Sequence, residues 1–332
     1  MKVTAYSIKA AEKEFLTKAN CNRHDITLTA DALSTETVSH AKGKNAVLVF
    51  TSDDLSEQIL KDLKQIGVKY IITRSTGTDH IDLAAAKLLG LEVASIPSYS
   101  PESVAEHAIT LMLALCRNIL PAHQQMMEYD FRLDALVGTT IRNKTVGVVG
   151  FGKTGQALVR ILSGFGCDIL VSDFNNVEQE CSVAGATQVS LDVLYEKADI
   201  ISFHVPLTQQ SRHMVNSESI AKMKDEVMLI NVSRGAIFNS IDVYNALQRD
   251  KISRVGMDVY EFENHIFFFD HSHDIVDDQL LKSFIQHSRC LLTPHQAFLT
   301  KEALQIISER TIKLLDAWEA VKPPEVSETV LV

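Results

Sequence analysis

Lys144-Thr-Val-Gly-Val-Val-Gly-Phe-Gly-Lys-Thr-Gly155 is a short β-branched run that passes straight into a GxGxxG turn. Thr145 to Val149 has the character of a buried parallel strand, and the pattern predicts a helix from about Gly152 to Phe165. Gly150 allows the tight turn, Gly152 lets a pyrophosphate approach the backbone, and Gly155 lets the helix lie close to its strand. The phosphates then sit at the helix N-terminus, where unpaired amides favour an anion. Cys167 to Ser172 reads as the next strand and Asp173 ends it, where a carboxylate accepts hydrogen bonds from ribose hydroxyls. Phe174, Asn175 and Asn176 offer no cation for a 2′-phosphate, so NAD is expected rather than NADP.

Outward from this turn, β-rich runs alternate with helical stretches. Val3 to Tyr6, Ala46 to Phe50, Tyr70 to Thr73 and Glu92 to Ile96 read as strands, with helices over Leu55 to Ile66 and Leu83 to Leu89. After the turn, Asp199 to Phe203, Glu226 to Asn231, Arg254 to Met257 and Cys290 to Leu292 bring the second set to six strands. The expected fold class is α/β, with two Rossmann-like domains built on doubly wound parallel sheets. Pro97 to Pro101 breaks the alternation. Glu102 to Cys116 then reads as a helix with Val104, Ala108, Leu111, Met112 and Leu115 on one face, and the sequence stays mostly helical to Gly138. That arm suits a subunit interface or ordinary intrachain core. Lys301 to Ala320 is one amphipathic helix carrying the single tryptophan, Trp318, and the tail from Pro323 reads as loosely held.

Composition narrows the function. The length of 332 residues suggests two domains, and 46% hydrophobic with 22% charged residues is the balance of a soluble globular protein. A net charge of −10 without a block of five basic residues argues against a nucleic-acid partner. Lys2, Lys9, Glu12, Lys13 and Glu14 leave no apolar core for a signal peptide, so a cytoplasmic location is expected. Ala108 to Cys116 is far shorter than the ~20 residues of a membrane span, and no membrane partner is expected. Cys21, Cys116, Cys167, Cys181 and Cys290 form no CxxC pair and read as reduced thiols. His271 and His273 lack a matched third ligand, so no metal site is expected.

A nicotinamide at the carboxyl ends of the strands makes His204, Arg234, Asp258, Glu261, Glu263 and His295 the candidates for chemistry. Arg234 sits on a turn before Gly235, where its planar fork can meet a carboxylate bidentately or pair with a surface neighbour. His295 follows Leu291-Leu-Thr-Pro294, and an imidazole at a strand end can move a proton near neutral pH. Glu261 or Glu263 against that imidazole would favour its charged form and set its tautomer. Asp258 is placed to orient Arg234 or the nicotinamide.

Gly150-Phe-Gly-Lys-Thr-Gly155, His204-Val-Pro-Leu-Thr208, Asn231-Val-Ser-Arg-Gly235, Gly256-Met-Asp-Val-Tyr-Glu-Phe-Glu263 and Thr293-Pro-His-Gln-Ala-Phe298 together resemble the D-isomer-specific 2-hydroxyacid dehydrogenases, over nearly the whole chain. Ile266-Phe-Phe-Phe-Asp270 and His295-Gln-Ala-Phe-Leu-Thr300 are most similar to the fermentative D-lactate dehydrogenases of that family. The resemblance implies reversible NADH-dependent reduction of pyruvate to D-lactate in a cleft between two domains. Its alternatives are a larger D-2-hydroxy acid, or an NAD-sensing, corepressor-like binding protein on the same fold.

By resemblance the substrate-anchoring arginine is Arg234, the acid/base is His295 and its carboxylate partner is Glu263, which leaves Glu261 a bystander. Substrate contacts fall on Thr76 and Gly77 of Arg74-Ser-Thr-Gly-Thr-Asp79, and on Tyr99, Arg234 and Phe298. Cofactor contacts fall on Phe151, Gly152, Lys153, Thr154, Gly155, Asp173, His204, Val205, Pro206, Val232, Ser233 and Asp258. Ser75, Thr76 and Thr78 stand where relatives often carry apolar or amide residues, which bears on substrate preference. The implied domains are residues 1–98 with 300–332, a discontinuous substrate-binding domain, and residues 99–299, an inserted NAD-binding domain. A helical dimerisation arm over about 101–138 makes the expected assembly a homodimer or homotetramer. Trp318 would belong to the first core.

Overall fold

A computed structural model describes residues 1–321 and 330–332. The chain divides into two units, Met1–Ser100 with Leu299–Val332, and Pro101–Phe298.

The first unit holds β1 (Lys2–Ala5), α1 (Ala10–Asn20), β2 (Asp25–Leu28), β3 (Ala46–Val49), α2 (Glu57–Gln65), β4 (Tyr70–Thr73), α3 (Leu83–Leu88), β5 (Glu92–Ala94) and the last helix, α12 (Lys301–Glu319). Its five strands lie in the order β2-β1-β3-β4-β5, all parallel, the flavodoxin-like version of the doubly wound sheet. Every residue of β3 is buried, as expected of a strand covered on both faces. Trp318 of α12 stacks on Tyr70 with ring centroids 4.7 Å apart, so the single tryptophan packs in this unit. Thr300 starts α12 by accepting a hydrogen bond from Ala303 N.

The second unit opens with α4 (Pro101–Cys116) and α5 (Ile119–Met127) and continues through β6 (Thr145–Val149), α6 (Lys153–Leu162), β7 (Asp168–Ser172), α7 (Glu178–Val183), β8 (Thr187–Gln188), α8 (Leu191–Lys197) and β9 (Ile200–Phe203). It ends with α9 (Ser217–Lys222), β10 (Val227–Asn231), α10 (Ser240–Gln248), β11 (Ile252–Met257), α11 (Gln279–Gln286) and β12 (Cys290–Leu292). The sheet order is β12-β11-β10-β9-β6-β7-β8, all parallel. Counted from β6 this is the 3-2-1-4-5-6 winding with one added strand, and the order reverses between β6 and β9. Glycine sets how closely helices approach. A Cβ on Gly256 of β11 would lie 3.1 Å from Leu111 Cβ and 3.2 Å from Leu115 Cδ1 of α4.

Three sequence expectations change. The second sheet has seven strands rather than six because Thr187–Gln188 pairs at its edge, and Asp25–Leu28 likewise adds an edge to the first sheet. Edge strands are short and half-exposed, so they carry little apolar signal. The arm is not helical to Gly138. After Met127 it turns at Tyr129, with φ of 58°, and keeps only a 3-10 turn at Asp134–Leu136. There the Asp130 carboxylate takes the Arg132 amide and guanidinium, a local alternative to helical bonding. The loose tail expected from Pro323 lies outside the described residues over 322–329, but its end is held. Leu331 N donates to Val93 O at 2.8 Å and Val93 N to Val332 O at 3.1 Å, with Val330 bridging Ala94 antiparallel on β5.

Among the described residues no single helix is long and apolar enough to cross a membrane. Helices α4 and α5 reach that length only as a pair bent by 61°.

Candidate active site

The glycine turn is built as its spacing predicts. Gly150 has φ of 95°, in the region that favours glycine, and its N–H donates to Ser172 O at 2.8 Å. A Cβ on Gly155 would lie 2.1 Å from Gly150 O, so α6 can pack on the turn only with glycine there. Gly152 is different: a Cβ there would meet no protein atom within 4 Å. Packing therefore does not require that glycine, whereas the close approach of a phosphate does. Gly152 also caps α6 without any side-chain hydrogen bond, so no side chain competes with a phosphate for the first amides of the helix. Asp173 follows β7, and its Oδ2 accepts Phe151 N at 2.7 Å while Oδ1 accepts Asn175 N at 2.8 Å. The turn and the acid thus form one structure, and the donor set fits NAD.

Past the switch point, His204 Nε2 lies 2.8 Å from Ser202 Oγ, and burial pushes the imidazole down to about 4, which keeps it neutral. Its Nδ1 is buried without a protein partner. Val205 and Val232 are buried, Ser233 is half-buried and Pro206 is exposed. Asn231 fastens the next turn. Its Nδ2 donates to Arg234 O at 2.9 Å, and its Oδ1 accepts Ser233 N at 3.1 Å and Ser233 Oγ at 3.0 Å. A Cβ on Gly235 would lie 2.2 Å from the Tyr260 carbonyl carbon, so the Arg234 turn packs directly on the segment carrying Glu261 and Glu263. Arg234 Nη1 donates to Ser233 O at 2.8 Å.

The two glutamates separate sharply in role. Glu263 Oε1 lies 2.7 Å from His295 Nδ1 and Oε2 accepts Tyr260 N at 2.8 Å. Glu261 turns away, pairs with His213 Nε2 and accepts Ser240 N at 3.0 Å. Of the two acids left open by the residue pattern, only Glu263 reaches the imidazole. Asp258 is wholly buried. Its Oδ1 accepts Thr293 Oγ at 2.6 Å and Gln296 N at 2.9 Å, its Oδ2 accepts Ala297 N at 2.8 Å, and its carbonyl accepts His295 N at 2.7 Å. The Phe268 ring lies 5.5 Å from the His295 ring.

Arg234, Asp258, Glu263, His295 and Phe298 all belong to the second unit, together with the glycine turn and Asp173. Thr76, Gly77 and Tyr99 belong to the first. There Thr76 Oγ1 donates to Ile96 O at 3.0 Å and Ser75 Oγ to Gly77 O at 2.7 Å, which orders the backbone of that loop. His271 Nδ1 faces Asp274 Oδ2 at 3.4 Å, and among the described residues no group of three side chains suits a metal ion. Asn231, Thr293, Phe268 and His107 escaped the sequence reading as site residues. Asn231, Phe268 and Thr293 lie within the motifs of the resemblance, but no spacing rule separates a side chain that ties its own turn from one that faces a ligand.

The family model described as D-isomer specific 2-hydroxyacid dehydrogenase, NAD binding domain, matches residues 109–297. A D-lactate dehydrogenase of Escherichia coli (strain K12) is 42% identical over 320 residues, 96% of this chain and 97% of that protein. Among solved structures, the pyruvate reductase of Chlamydomonas reinhardtii is similar with a TM-score of 0.92 at 36% identity, over 98% of each chain. A D-lactate dehydrogenase from Aquifex aeolicus, complexed with NAD and lactic acid, has a TM-score of 0.90 at 30% identity over 100% of this chain and 99% of that one. With a cofactor turn that fits NAD and relatives matched along nearly their full length, the chain belongs to the D-isomer-specific 2-hydroxyacid dehydrogenases, NAD-dependent oxidoreductases, and residues 109–297 match their NAD-binding domain.

Proposed function

We propose that this chain is a D-lactate dehydrogenase, reducing pyruvate to D-lactate reversibly with His295 as the acid/base. The observation that carries the reading is the 2.7 Å contact of Glu263 with His295 Nδ1. A carboxylate there holds the proton on Nδ1 and leaves Nε2 to exchange a proton with a substrate oxygen. In reduction His295 gives its Nε2 proton to the ketone oxygen, and in oxidation it removes the hydroxyl proton. Arg234 supplies a planar cation for the substrate carboxylate and polarises the ketone. NADH, when bound, supplies the hydride. Phe151 to Gly155, Asp173, His204 to Pro206, Val232, Ser233 and Asp258 are the residues that would hold it.

Thr76 and Gly77 would add amides for the substrate carboxylate, with Tyr99 as a further contact and Phe298 beside the methyl end. On this reading residues 1–98 and 300–332 bind substrate and residues 99–299 bind cofactor. Five free thiols fit a reducing compartment such as the cytoplasm. Self-association through the arm over about 101–138, to a homodimer or homotetramer, belongs to the same proposal. It is supported by the exposed Ile119, Met126, Met127, Tyr129, Phe131, Leu133 and Val137.

The loss of NADH absorbance with purified protein, compared across pyruvate, oxaloacetate, hydroxypyruvate, 2-ketoisocaproate and phenylpyruvate, tests the activity. The expected outcome is the highest kcat/KM with pyruvate and a D-configured product. Preference for another keto acid would change the substrate and keep the mechanism, and NADH binding without turnover of any would overturn the enzyme reading.

A further inference from the structure

His107 stands on α4, far in sequence from every motif of the site, yet its Nε2 lies 2.9 Å from Thr293 Oγ1 and 3.3 Å from Asp258 Oδ1. The network decides where its proton is. The Thr293 hydroxyl spends its proton on Asp258 Oδ1 at 2.6 Å, so toward His107 it can only accept, and a carboxylate oxygen accepts as well. Nε2 therefore carries the hydrogen and donates it to Thr293 Oγ1, with the Asp258 carboxylate beside it at 3.3 Å.

We infer that His107 is a positioning residue for His295, acting through Asp258 and Thr293. The inference rests on the reading of His295 as the acid/base.

Asp258 is wholly buried, and a buried carboxylate must be met by donors. Three of the donors, Thr293 Oγ1, Gln296 N and Ala297 N, lie in the loop around His295 and move with it. His107 reaches the carboxylate from outside that loop, donating to the Thr293 hydroxyl that bonds Asp258 and lying 3.3 Å from Oδ1. It is carried by a sixteen-residue helix that Gly256 allows to lie tightly on β11, the strand that Asp258 follows. The side chain thus fixes the carboxylate against the rigid part of the unit rather than against the loop.

That fixing matters because His295 occupies an uncommon backbone conformation. Its φ of 53° lies in the left-handed region, and its N–H is drawn to Asp258 O at 2.7 Å. Non-glycine residues are uncommon in that region, and here the Asp258 carbonyl and carboxylate bond the backbone on either side of the turn. When the His107 donor is lost, Asp258 and Thr293 are free to reorient, the backbone at His295 relaxes, and the imidazole tilts from the line set by Glu263.

The test compares His107→Phe and His107→Gln with His295→Ala in the full-length protein. Phenylalanine fills the space without a donor, whereas the glutamine amide reaches the position of Nε2 with one. His107→Phe is expected to lower kcat by about 10- to 100-fold, the scale on which small misplacements act. Its dissociation constant for NADH, read by fluorescence, should change by less than kcat does, and its thermal midpoint should show the protein still folded. His107→Gln should recover most of the lost kcat. Parental kcat in His107→Phe overturns the inference, as does an equal loss in both variants, which would mark a packing effect. A loss confined to NADH affinity also overturns it, because the side chain would then serve the cofactor. If His107→Phe is impaired less than about twofold while His295→Ala is inactive, only this inference fails. If His295→Ala is itself active, the acid/base reading and the inference fall together.

Discussion

At the scale of single residues, His295 is set by two constraints of different kinds. Glu263 fixes the ring through Nδ1, and Asp258 fixes the backbone through its carbonyl and the amides of Gln296 and Ala297. Removal of the imidazole should leave the second set intact, since none of those bonds uses the ring. His295→Ala is therefore expected to keep its fold and its NADH affinity while kcat falls by ~10² to 10⁴, the usual worth of one acid/base group. Steady-state kinetics with pyruvate alongside NADH titration would check this, and a kcat near the parent's would remove His295 from the chemistry. His204 offers a contrast, because burial that holds it near pKa 4 leaves it no proton to give at neutral pH.

At the scale of elements, the site depends on places where two backbones come too close for any side chain. Gly235 is the sharpest case. A methyl group there would meet the Tyr260 carbonyl carbon and oxygen at 2.2 Å and Glu261 N at 2.4 Å, all backbone atoms that cannot swing aside. Gly235→Ala should push the Arg234 turn off the 258–263 segment, costing about 1–3 kcal/mol of stability, the usual range for overpacking. Because Arg234 moves with the turn, KM for pyruvate should rise more than the dissociation constant for NADH. Denaturant midpoints and kinetics measure the two effects separately. An unchanged midpoint would mean that the strand ends yield more easily than their burial indicates.

At the scale of the whole molecule, the apolar arm is the feature that one chain leaves unsatisfied. Helix α5 has no buried residue, and Met127 and Phe131 are 70% and 65% exposed. The proposed self-association would cover this surface. Light scattering is expected to give a multiple of the single-chain mass for the parent protein, and the single-chain mass for a Met127→Asp, Phe131→Asp variant. A parent protein that runs as one chain at micromolar concentration would discard the self-association proposal. Each sheet, by contrast, is covered on both faces within its own unit, so loss of assembly should not unfold the Rossmann core.

Local chemistry carries a long way along this chain. The glycine turn, its strand, helix and acid were legible because each is dictated by neighbours within thirty residues: a turn that needs positive φ at Gly150, a helix that needs Gly155, a strand that ends at Asp173. Parallel strands covered on both faces announced themselves as apolar runs, whereas β2 and β8, half-exposed at the sheet edges, did not. The sequence by itself determined the fold class, the cofactor turn and the candidate residues at the strand ends. It did not decide between Glu261 and Glu263, since two carboxylates two residues apart carry the same signal. Only the tertiary structure sent one to His213 and the other to His295. It also gave Asp258 to the His295 loop and brought His107 to it from α4, across the 150 residues of chain between His107 and Asp258. Contacts of that separation arise from how sheet and helix pack, and no periodicity along the chain records them.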